Sequence, residues 1–113
     1  MLNDAEINRF RSTLLNERDQ LRAEDSDAAE DRATVMLDQQ SVGRLSRMDA
    51  IQRQAMAQAT ARRRQGRELR IEAALERIAQ GEFGFCLECG EDIGTKRLAL
   101  DPTLPNCVSC AKG

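Results

Sequence analysis

The chain has 113 residues, of which 32% are charged and only 3% aromatic, with no Trp, Tyr or His and a formal net charge of −2. So few large side chains leave little for a globular core, and the overall charge excludes a basic footprint for DNA or RNA. Abundant Ala, Leu, Arg, Glu and Gln predict long helices packed along a seam.

The charge is unevenly placed. Residues 1–43 carry 10 acidic and 5 basic side chains, residues 44–80 carry 9 basic and 4 acidic, and residues 81–113 carry 3 basic and 5 acidic. Either an acidic helix lies on a basic one, or an acidic end and a basic flank meet different parts of one partner. No apolar run is long enough to span a bilayer, and the N-terminus lacks a signal-peptide pattern. The chain is therefore expected in the cytoplasm, with no membrane partner.

The first segment, LNDAEINRFRSTLLNERDQLRAE, opens with a capping signal. Asn3 or Asp4 can accept hydrogen bonds from free amides, and Asp4 and Glu6 suit the positive end of the helix dipole. Ile7, Phe10, Leu14 and Leu21 form one apolar stripe, which predicts helix 1 near residues 4–25. In DSDAAEDRATVMLDQQSVG, Ser, Asp and Thr compete for backbone hydrogen bonds and weaken a helix. Residues 26–43 therefore read as an irregular acidic connection at the tip of a helical hairpin, with a partly helical 27–38 as the alternative.

Residues 44–80 favour helix almost throughout, with Gly66 as the one interior glycine and Gly81 as a stop. At ~1.5 Å per residue, helix 2 would span roughly 55 Å. Its seam is expected to be bulky at Leu69, Ile71, Leu75 and Ile78 and small at Ala55, Ala57, Ala59 and Ala61. TVMLDQ is expected to pack along the alanines. Arg62, Arg63, Arg64, Arg67 and Arg70 cluster on this helix. They read either as a solvated face with i, i+4 pairs such as Arg64 with Glu68, or as a contact for an acidic partner or nucleic acid.

All four cysteines fall near the C-terminus as two Cys-x-x-Cys pairs, Cys86 with Cys89 and Cys107 with Cys110, separated by 17 residues. This spacing suits four thiolates on one zinc ion. Two intervening residues allow a turn that points both sulfurs at the metal, and the second pair closes the tetrahedron. Four protein ligands leave no position for water, so the site is expected to be structural. Gly84 and Gly90 serve tight turns, and Pro102 and Pro105 stiffen the returning loop. Phe83, Phe85, Ile93, Leu98 and Leu100 are the candidate core of the module. Reduced cytoplasmic thiols favour metal over disulfide. The expected fold is mainly α: a long antiparallel, coiled-coil-like helical hairpin over residues 1–80, followed by a four-cysteine zinc finger over residues 81–113.

GEFGFCLECGEDIGTKRLALDPTLPNCVSC resembles the zinc finger of the DksA/TraR family of bacterial transcription regulators. The family's fixed places are held by Cys86, Cys89, Gly90, Ile93, Arg97, Pro102, Cys107 and Cys110. The motif covers about a quarter of the chain, and the hairpin extends the likeness more loosely. The resemblance implies binding to RNA polymerase, with the hairpin in the secondary channel and acidic residues at its tip near the catalytic magnesium. It also brings in ppGpp as an optional partner, and it implies no sequence-specific DNA binding. Leu87 and Asp101 depart from the family pattern. Of the tip motif Asp-x-x-Asp-x-Ala, only Asp31 and Ala33 are present, with Ala28 at the first Asp position. The turn can alternatively fall near 38–43, which makes Asp38 the nearest acid.

The expected function is thus a polymerase-binding transcription regulator. Its candidate contacts are Asp27, Glu30, Asp31 and Asp38 on the acidic connection and Arg62, Arg63, Arg64 and Arg67 on helix 2. The alternative is a zinc-finger adaptor that meets another acidic protein or nucleic acid through the arginines. With no His, no open metal position and no nucleophile–base set, the chain is not expected to be an enzyme.

Overall fold

The computed structural model describes the backbone of residues 2–38 and 44–112, and the side chains of residues 2–28 and 47–112. Among the described residues four helices follow in order: α1 (Asp4–Asp38), α2 (Arg44–Ala79), α3 (Thr95–Leu100) and α4 (Val108–Ala111). Among the described residues the one β feature is an isolated antiparallel bridge between Phe85 and Asp92. The fold is mainly α, a pair of long helices with a small cysteine-bearing module after them.

A reciprocal cap starts α1. The Glu6 amide donates to Asn3 Oδ1 at 2.8 Å, and the Asn3 amide donates to Glu6 Oε1 at 3.3 Å. Both donors would otherwise lack an intrahelical acceptor. The helix then continues to Asp38, where an irregular connection was expected from residue 26. The expected boundary gave too much weight to Ser26, Asp27, Asp31 and Thr34. Each costs only a few tenths of a kcal/mol relative to good helix formers, and a helix already nucleated propagates through them across Ala28, Ala29, Glu30, Arg32 and Ala33. The side chains of TVMLDQ, expected against the alanines of α2, lie outside the described residues.

α2 ends in a pair of turn bonds, from the Gly81 amide to the Ile78 carbonyl at 3.2 Å and from the Glu82 amide to the Arg77 carbonyl at 2.8 Å. This Schellman arrangement needs a left-handed residue, and Gly81 supplies it with φ 75°.

Two compact units make up the chain. The first joins Met1–Arg18 to Leu69–Gly113. Its core contains Leu14, Ile71 and Leu98, all fully buried, with Ala74, Ile78, Phe83 and Ile93 around them. The rings of Phe10 and Phe83 meet at a 5.8 Å centroid distance, tilted by 54°. Leu69 was expected in this seam but is 72% exposed. The buried stripe is Ile71, Ala74 and Ile78, at spacings of 3 and 4, and Leu69 lies on the opposite side of the helix. Leu100, also expected in the core, is 88% exposed at the last position of α3.

The second unit is Asp19–Glu68. Of the alanine row Ala55, Ala57, Ala59 and Ala61, only Ala61 is buried, while Ala57 and Ala59 are half-buried. Charged pairs supplement this thin seam. Arg64 Nε donates to Asp25 Oδ1 at 2.9 Å, and Arg22 Nε lies 3.4 Å from Glu68 Oε1. The partners of Arg64 and Glu68 are thus on the other helix, whereas the sequence suggested that these two would pair within α2.

Leu14→Ala and Ile71→Ala are each expected to lower stability by about 2–5 kcal/mol in urea unfolding of the zinc-loaded protein. Leu69→Ala should stay within about 0.5 kcal/mol, as for an exposed position. Equal losses at all three positions would contradict the assigned seam.

Candidate metal centre and partner-binding residues

The first Cys-x-x-Cys pair sits in a short hairpin. The Cys86 amide donates to the Glu91 carbonyl at 2.8 Å and the Ile93 amide to the Gly84 carbonyl at 2.9 Å, which holds the two arms. The Gly90 amide closes the turn on the Cys86 carbonyl at 2.9 Å. At Gly84, with φ 95°, an added Cβ would lie 2.8 Å from Leu2 Cδ1, so a side chain there meets both strain and a clash.

The second pair is carried on α4. Cys107 is the residue before its first turn, and Cys110 lies within it. Three contacts seat this segment. The Leu87 amide donates to the Pro105 carbonyl at 3.0 Å. Arg97 Nε donates to the Asn106 carbonyl at 3.1 Å, and Arg77 Nη2 reaches the Thr103 carbonyl at 3.4 Å. Asp101 Oδ1 accepts from both the amide and the hydroxyl of Thr103, at 3.0 and 2.7 Å, which fixes the loop around the buried Pro102.

All four sulfurs lie within 4.8 Å of one another. Zinc–sulfur bonds of ~2.3 Å in a tetrahedron place sulfurs about 3.8 Å apart. Cys89 Sγ and Cys107 Sγ are 3.7 Å apart. Soft thiolates in this number and arrangement fit one zinc ion and leave no ligand position for water.

The electrostatics of the bare thiols show what such an ion offsets. The Cys89 amide, helped by those of Cys107 and Glu88, lowers Cys86 to about 6 in spite of its burial. For Cys89 the Glu91 amide pulls downward, but the neighbouring sulfurs of Cys86 and Cys107 and burial leave the thiol raised. Cys110 is pushed far up by Cys107, Cys86 and Cys89. One thiolate is favoured by backbone amides, and crowding opposes the others.

The candidate partner residues do not form one cluster. Asp27 is exposed on α1. Glu30, Asp31 and Asp38 belong to the same helix, with side chains outside the described residues. Arg62 and Arg63 are exposed, and Arg63 Nη2 donates to Thr60 Oγ1 at 3.1 Å. Arg64 is engaged by Asp25, and Arg67 is half-buried and also has a partner. Sequence reading missed the positioning contacts of Arg77 and Asn106. The place of Arg77 on the last turn of α2, next to the module, was the available signal for the first.

Residues 81–113 match the family of the prokaryotic dksA/traR C4-type zinc finger. The RNA polymerase-binding transcription factor DksA of Escherichia coli is 30% identical over 112 residues, spanning 96% of this chain and 71% of that protein. The protein of the same name from Salmonella typhimurium matches equally. That of Haemophilus influenzae is 44% identical over 41 residues, 36% of this chain and 28% of its own length. The structure of transcription factor DksA2 from Pseudomonas aeruginosa aligns with a TM-score of 0.85 at 26% identity, covering 97% of this chain and 83% of that one.

Fold and site together define a four-cysteine zinc-finger protein built on a pair of long helices, with one structural zinc. The chain belongs to the DksA/TraR family. The relatives matched are transcription factors and not enzymes.

Zinc requires thiolates, and Cys89 and Cys110 are raised in the metal-free cluster, so binding must release protons. Affinity is present at high pH and should weaken by about tenfold per pH unit for each proton released as pH falls. Competition with a chromophoric chelator across pH 6 to 8.5 measures this, and a flat profile would contradict it. Cys107→Ser should abolish stoichiometric zinc while most far-UV helical signal remains.

Proposed function

We propose that this chain regulates transcription by binding RNA polymerase, with its helical hairpin entering the secondary channel. The observation that carries the reading is the 30% identity to RNA polymerase-binding relatives along 96% of the chain, helices included. A likeness confined to the finger would support only a shared zinc module. The chain catalyses no reaction of its own in this reading, and it acts in the cytoplasm, where the polymerase is. No described helix is long and apolar enough to cross a membrane. The alarmone ppGpp is a modulator of the same complex.

The helix bounds favour one acid over another at the tip. α1 extends to Asp38 and α2 starts at Arg44. Asp38 is therefore nearer the connection than Asp31, which lies two helical turns earlier. The arginine face supports the adaptor reading less well, because Arg64 is used by Asp25 and Arg63 leans on Thr60.

The test is binding to core RNA polymerase in competition with a known secondary-channel factor, with and without ppGpp. Mutual exclusion is the expected result. Simultaneous binding would overturn the channel reading, and a steep salt dependence on free duplex DNA would favour the adaptor. Asp38→Asn is expected to weaken the transcriptional effect more than Asp31→Asn, with melting unchanged in both. Full activity in both variants would remove the acids from the mechanism.

A further inference from the structure

The carboxamide of Asn106 faces a sulfur of the metal centre. Cys86 Sγ lies 3.8 Å from Asn106 Oδ1, a contact in which a protonated sulfur donates to the oxygen. Zinc takes Cys86 as a thiolate, which has no proton to give and can only accept. The oxygen would then face a negative sulfur. Half a turn of the carboxamide exchanges Oδ1 for the Nδ2 amine group within almost the same volume. The contact then runs from nitrogen to sulfur, and the backbone need not move.

We propose that Asn106 is a positioning residue of the zinc site, whose Nδ2–H donates to the Cys86 thiolate and screens its charge. The inference rests on zinc in the four-thiol site and is independent of the polymerase reading.

The backbone holds Asn106 in this place. Its carbonyl accepts from Arg97 Nε at 3.1 Å, and the Pro105 carbonyl before it accepts from the Leu87 amide at 3.0 Å. The residue after it is Cys107, itself a ligand. Cys86 is only 3% exposed, whereas Cys89 is open to solvent and Cys107 and Cys110 are half-buried. Water therefore solvates the Cys86 thiolate least, and a protein donor is worth more there than at Cys89. Backbone amides of Cys89, Cys107 and Glu88 also reach Cys86. Asn106 adds a donor from a side chain, which a substitution removes while the backbone bonds stay available. A hydrogen bond of this kind orients the ligand and draws charge from the sulfur.

NMR of the protein loaded with a spin-active cadmium isotope tests the contact in the wild type. One Nδ2 proton of Asn106 should show a scalar coupling to the metal through the sulfur, and it should exchange slowly with water. Absence of coupling from both protons overturns the proposal. Asn106→Leu keeps the bulk and removes the donor. It should weaken zinc by about 10- to 100-fold in chelator competition. It should also move the sulfur-to-metal charge-transfer band of the cobalt-loaded protein to lower energy, because an unscreened thiolate gives up its electrons more readily. Asn106→Asp puts a second acceptor where the donor was, and above neutral pH it should weaken zinc further. A role confined to loop packing would lower affinity and leave the band in place. That result, or wild-type affinity in both variants, overturns the proposal. Should the Leu variant fail to fold, the cadmium spectrum of the wild type and the Asp variant decide.

Discussion

The first unit depends on four sulfurs brought to one point. Two come from a short hairpin after α2, and two from the start of α4, with Cys107 just before it and Cys110 within it. Their closeness is unfavourable by itself, since each thiolate raises the cost of ionising the next. A divalent cation reverses the sign of that interaction. The module around them has few apolar side chains, so metal binding and folding of the finger are one process. Its remaining support is polar: Arg97 on the Asn106 carbonyl, Arg77 on the Thr103 carbonyl and Asp101 on Thr103. The finger in turn gives the helix ends of its unit something to pack on. Phe83 meets Phe10, and Thr95 Oγ1 donates to Glu6 Oε2 at 3.3 Å, the same side chain that caps α1.

The second unit is held differently. Its described buried core is slight, with Ala61 enclosed while Met48, Ile51 and Met56 lie open. Arg64 with Asp25 and Arg22 with Glu68 join acidic α1 to basic α2, which accounts for part of the charge asymmetry of the sequence. Partly exposed pairs of this kind contribute at most about 1 kcal/mol each. Such a unit opens locally more easily than one with a large apolar core.

The parts legible in the sequence were those fixed by local chemistry. Cysteine spacing encodes ligand geometry within a few residues, so the metal centre could be read without the fold. Gly81 marked a helix end because a Schellman turn needs a left-handed residue. The end of α1 was hidden because small propensity differences between 26 and 38 do not outweigh propagation from a helix already formed. Leu69 and Leu100 are bulky yet exposed, because bulk alone does not decide burial. The register of Ile71, Ala74 and Ile78 decides which face is inside, and an alanine occupies the place given to a leucine. The Arg64–Asp25 pair spans 39 positions, so helix-periodic reading could not find it.

Zinc in the four-thiol site organises the first unit, including the helix ends packed on the finger. Amide hydrogen exchange of the zinc-loaded and chelator-treated protein tests it directly. Zinc removal is expected to speed exchange across residues 81–112 and in the α1 and α2 turns around Leu14 and Ile71, with smaller changes at 19–28 and 47–68. Unchanged protection around Leu14, Ile71 and Leu98 after complete zinc removal would mean that the unit is held together without the metal.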